Sequence, residues 1–227
     1  MKELFGFDIL PNKFKIFSYG HDEGLHCHGS VDELPPQTCF VFLINAAPNF
    51  LIENAPFSAK IFYLDFEYFK RLFLPQSYHL IYLDDPCGLS FDGWAENVIR
   101  YLSACLKAPA IPAFDFADIS SVLLEVKRTR LHFKIMPFEN ALVLPFGIAE
   151  YNRLLLVIFS SPEKLMPMHV DRELAQCEAI ADWVAGGAAF HPHESSIALF
   201  LGDEKRPNEP EISTKDPRTP HHLRAIY

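Results

Sequence analysis

The sequence predicts an α/β protein built on a sheet with parallel strands. Three observations predict it. Residues 38–45, Thr-Cys-Phe-Val-Phe-Leu-Ile-Asn, are a continuous apolar run of strand length, the pattern of a strand covered on both faces. Lys60-Ile-Phe-Tyr-Leu64 and His79-Leu-Ile-Tyr-Leu83 are two more such runs. Stretches with helical spacing follow the second and third of them, Phe66/Phe69/Phe73 and Trp94/Val98/Leu102/Cys105, and strands alternating with helices favour a parallel sheet.

In chain order, Phe14-Lys-Ile-Phe17 reads as a first strand, followed by a polar loop that carries histidines and glycines. After the strands at 38–45 and 60–64, Asp65 is placed to cap a helix reaching Leu74, with Pro75 closing it. A helix spans residues 91–107 and stops at a Pro-broken connection, Ala108-Pro-Ala-Ile-Pro112. A short helix is expected near 119–126. Arg130-Leu-His-Phe-Lys-Ile135 alternates polar and apolar residues, as a half-solvated strand does. Arg153-Leu-Leu-Leu-Val-Ile-Phe159 reads as a buried strand. Asp171 opens a helix with Leu174, Cys177, Ala181 and Val184 on one side, and the Gly186-Gly187 pair is expected at its end. Ser196-Ile-Ala-Leu-Phe-Leu201 is the last strand.

Composition narrows the function. The chain has 227 residues, 49% of them apolar, with 21 Phe, which is ample for a globular core. Its formal charge of −9 opposes nucleic-acid binding, which draws on clustered Lys and Arg to neutralise phosphates, and opposes an anionic membrane surface. No run reaches the roughly 20 apolar residues that span a bilayer, and the first residues lack the apolar core of a signal peptide. Five scattered cysteines fit a reducing compartment better than a disulfide framework, so a cytoplasmic protein is expected. From residue 204 the chain turns charged and Pro-rich, and the tail 204–227 is expected to be disordered.

One stretch carries most of the functional information: Phe114-Asp-Phe-Ala-Asp-Ile119, two acids three residues apart in an apolar frame. It resembles the catalytic loop of the bacterial tubulin homologue FtsZ, where Asn-x-Asp-Phe-Ala-Asp follows the long central helix. That resemblance covers residues 91–203, about half of the chain, and extends to the order of helix, acidic loop, short helix, two strands, helix and strand. It implies a reduced FtsZ/tubulin-like architecture. A degenerate N-terminal α/β part (1–90) would be joined by a connecting helix (91–107) to a mixed-sheet, FtsZ C-terminal-like domain (108–203). In the family, the loop enters the neighbouring subunit's GTP site and its acids position water. Asp115 and Asp118 are the corresponding acids here, and Ala113 stands where the family has Asn. The residues by themselves also allow Asp118 to act simply as a helix cap.

The family's Gly-rich phosphate loop has no counterpart, since no glycine lies between Gly29 and Gly88 and the strand 38–45 continues as Ala46-Ala-Pro-Asn49. A loop that wraps phosphate presents backbone N–H groups, and Pro48 has none. The resemblance therefore implies a non-catalytic protein without cofactor, whose partner is a protein, with a filament-forming FtsZ-like protein as the candidate. A second cluster, His21-Asp-Glu-Gly-Leu-His-Cys-His28, offers imidazoles and a thiol suited to a transition metal. His21, His26, Cys27 and His28 are its candidate ligands, and His26 and His28 share a face if the segment is extended. Two other classes thus stay open: a metal-dependent enzyme using residues 21–28, and an unrelated α/β interaction module.

Overall fold

The computed structural model describes residues 14–20, 24–52, 59–68, 71, 76–84, 88–108, 110–111, 116–124, 130–138, 150–161, 163–164, 167–190 and 196–205. Ten strands among them form one mixed sheet. In chain order they are β1 (Lys15–Gly20), β2 (Gly24–His28), β3 (Thr38–Ile44), β4 (Lys60–Asp65), β5 (Ser77–Ile81), β6 (Ala110–Ile111), β7 (Arg130–Pro137), β8 (Tyr151–Ser160), β9 (Val184–Phe190) and β10 (Ile197–Glu204). Their order across the sheet is β2-β1-β3-β4-β5-β7-β10-β8-β9-β6. The expected α/β class with a mixed sheet is the one observed. Parallel β3, β4 and β5 form the centre of the first half, with antiparallel β1 and β2 beside them. Among the described residues β5 meets β7 through two residue pairs, His79↔Arg130 and Leu80↔Leu131, and these join the two halves.

Among the described residues three α-helices cover the sheet: α1 (Phe91–Lys107), α2 (Phe116–Leu124) and α3 (Pro167–Glu178). The Ser90 side chain accepts the Gly93 N–H at 3.3 Å and caps α1. Trp94, Val98, Leu102 and Cys105 recur at helical spacing along α1 and are all buried. With Ile119, Val122 and Leu123 of α2 they lie against Phe40, Phe42, Phe62 and Leu80 in a core continuous across both halves. α3 covers the opposite face of the second half through Val170 and Cys177. On the opposite face of the first half, Phe50, Ile52 and Ala59 lie against Val41, Leu43 and Tyr63. Every residue of β3 is buried for that reason, and its unbroken apolar run follows from being covered twice.

Several sequence expectations are corrected. Residues 24–28, read as loop, are the strand β2. Ala110 and Ile111, read as a connection, pair with Ala189 and Ala188 of β9. No described residue of 65–74 is helical: Asp65 ends β4 in extended conformation, and its carboxylate is used inside the fold. The helix opened before Asp171 stops at Glu178, and Val184–Phe190 is a strand. Gly186 is therefore not a helix terminator. It pairs with Leu156, and a Cβ there would lie 1.9 Å from the Leu156 carbonyl oxygen, so only glycine lets β9 approach β8. The helical period at Leu174, Cys177, Ala181 and Val184 was overridden by that tertiary pairing. The tail from 206 onward lies outside the described residues, while Lys205 is held by Asp182 at 2.6 Å.

Candidate functional site

In an open α/β sheet, ligands gather at the carboxyl ends of the parallel strands. Here that region is filled by a charged cluster from the chain itself. β3 ends at Ile44, and Asn45 turns the backbone in the left-handed region, at φ 54°. The turn presents the Ala46 and Ala47 carbonyls to Arg71. One guanidinium nitrogen, Nη1, donates to Ala47 O at 2.7 Å, and Nη2 donates to Ala46 O at 2.8 Å. The same guanidinium grips both oxygens of Asp65, Nε at 2.8 Å and Nη2 at 2.5 Å. It also lies over the Tyr63 ring, 4.4 Å from the centroid. Alternation along β4 puts Tyr63 and Asp65 on one face, which is what lets one arginine reach both. The two charged side chains are 1% and 2% exposed, so this is an internal ion pair.

The electrostatics follow from burial. Desolvation pushes the Asp65 carboxyl up from its ordinary value, and Arg71 pulls it back through its hydrogen bond and its charge. His79 packs its ring 5.6 Å from that of Tyr63. Burial, then Arg71, then Arg130 push His79 down to about 4, so it is neutral at pH 7. Arg130 makes a second two-pronged pair, with Asp84, its Nε donating at 2.7 Å. This pair is half-buried, and Arg130 also stands 5.5 Å from the Tyr68 centroid.

Beside these pairs the surface is apolar. Phe66, Tyr68 and Leu83 are 47%, 54% and 56% exposed. Leu83 N–H donates to Phe66 O at 3.2 Å, so the ends of β4 and β5 meet there. Phe66 also touches Tyr82 and Phe91, with ring centroids 5.2 Å and 5.9 Å away, which ties this patch to the start of α1.

Asp118 lies at the other end of the sheet. It is the third residue of α2, inside the first turn, and therefore does not occupy the capping position in front of a helix at 119. A carboxylate there still favours the helix through the positive end of the macrodipole. The Phe116 ring lies 5.7 Å from Phe40, near the amino end of β3. α1 starts beside Phe66 and ends just ahead of β6 and α2, and its 17 residues span about 25 Å. The acid-bearing turn and the Arg71 cluster thus belong to opposite ends of the molecule. Asp115 and Ala113 lie outside the described residues.

Of the histidine cluster, His21 lies outside the described residues. His26 and His28 share a face of β2, with ring centroids 6.4 Å apart. Cys27 sits between them in the strand, so its side chain takes the other face. Among the described residues no group of three or more His, Cys, Asp or Glu is arranged to hold a metal ion. Arg71, Tyr63, His79 and the Arg130–Asp84 pair were missed from the sequence. Asp65 at the end of an apolar strand was the available signal, and its position before Phe66, Phe69 and Phe73 made it look like a helix cap.

No family model matches this sequence, and no curated protein does. Solved structures similar to it in fold include CetZ from Methanosaeta thermophila, with 13% identity and a TM-score of 0.49 over 66% of this chain and 53% of that one. GDP-bound CetZ1 from Haloferax volcanii matches with 16% identity and a TM-score of 0.42 over 64% of this chain and 55% of that one. An empty FtsZ dimer from M. jannaschii matches with 14% identity and a TM-score of 0.43 over 57% of this chain and 46% of that one. In each case the match spans about half the length of the solved chain.

Proposed function

We propose that this chain is a non-catalytic protein of FtsZ/tubulin-like architecture that binds a filament-forming partner of that kind. The observation that carries this reading is the polarity of the segment after β3. A phosphate cradle aims N–H groups at its anion. Here Ala46 and Ala47 aim carbonyl oxygens at a cation, and that cation is the chain's own Arg71. A phosphate brought to this position would meet two carbonyls and the Asp65 carboxylate, while the guanidinium is already engaged by four hydrogen bonds.

The opposite end supports the binding half of the proposal. Asp118 in the first turn of α2, and Asp115 by resemblance, correspond to the acids that FtsZ presents to its neighbour. Head-to-tail contacts extend as long as both ends of each subunit work. A chain with a working acidic end and no nucleotide end would attach to a growing filament and stop it there.

Two measurements test this. Calorimetric titration with GTP and magnesium is expected to show no binding at micromolar or tighter concentration; a micromolar dissociation constant, about −8 kcal/mol, overturns the non-catalytic reading. Light scattering of a polymerising FtsZ-like protein from the same cell, with this chain at about a tenth of its concentration, is expected to show shortened filaments. Unchanged filaments, or the same shortening by the Asp115→Ala/Asp118→Ala variant, overturn capping by this loop.

A further inference from the structure

We draw no further inference here: the strongest candidate, the exposed apolar patch of Phe66, Tyr68 and Leu83 just beyond the carboxyl ends of β4 and β5, carries nothing, because nothing in the structure shows what covers it.

Discussion

Replacing Arg71 by Met keeps most of the apolar stem and removes the guanidinium. It leaves the Asp65 carboxylate, 2% exposed, without its cation, and leaves Ala46 O and Ala47 O without their donor. Removing one partner of a buried ion pair costs about 3–5 kcal/mol, because the remaining charge is stranded. The abandoned carbonyls add to this, though not additively. Most of the penalty is the stranded charge, so it depends on pH. Burial already pushes Asp65 upward, and without Arg71 nothing pulls it back. A carboxyl whose folded-state value is raised contributes stability below its ordinary range and loses it as pH rises through the raised value. The variant should therefore be most destabilised at neutral pH and recover as the pH falls toward the ordinary carboxylate range, about 4. A second change separates charge from shape: Asp65→Leu/Arg71→Met removes both charges and should be more stable than Arg71→Met alone by about 2 kcal/mol. Urea denaturation followed by fluorescence of the buried Trp94 at both pH values measures all of this. A cost under about 1 kcal/mol for Arg71→Met, no pH dependence, or a double variant with the summed cost of the singles would refute the cluster as an internal charge pair.

Two further outcomes are expected. Gly186→Ala should destabilise the fold by about 1–3 kcal/mol or more, read as a lower Tm, because its Cβ would lie 1.9 Å from Leu156 O and force β9 off β8; an unchanged Tm contradicts that pairing. His79, pushed down to about 4 by burial and by Arg71 and Arg130, resists protonation in the fold but not in the unfolded chain. Its contribution is thus full above about 6.5 and lost as pH falls toward 4, up to about 3 kcal/mol. His79→Phe should flatten that part of the stability–pH curve, and an unaltered slope would show that other groups carry it.

The sequence alone determined the elements whose pattern is local. β3, β4 and β8 were legible because strands covered on both faces are apolar throughout, and α1 was found from Phe91 to Lys107 because Trp94, Val98, Leu102 and Cys105 follow the helical period between Ser90 and Pro109. The resemblance of the 114–119 stretch was likewise read locally, since six adjacent residues need no fold to be compared. Tertiary structure alone decided what depended on partners distant in sequence. Whether Asp65 caps a helix or grips Arg71 depends on the Ala46 and Ala47 carbonyls, which lie 24 or more residues before that arginine. Whether Gly186 ends a helix or sits in a strand depends on the Leu156 carbonyl, thirty residues away and in contact only after β8 is laid down. A local period records which face a side chain would take. Which neighbour then completes its hydrogen bonds, or excludes its Cβ, is decided only when the sheet assembles.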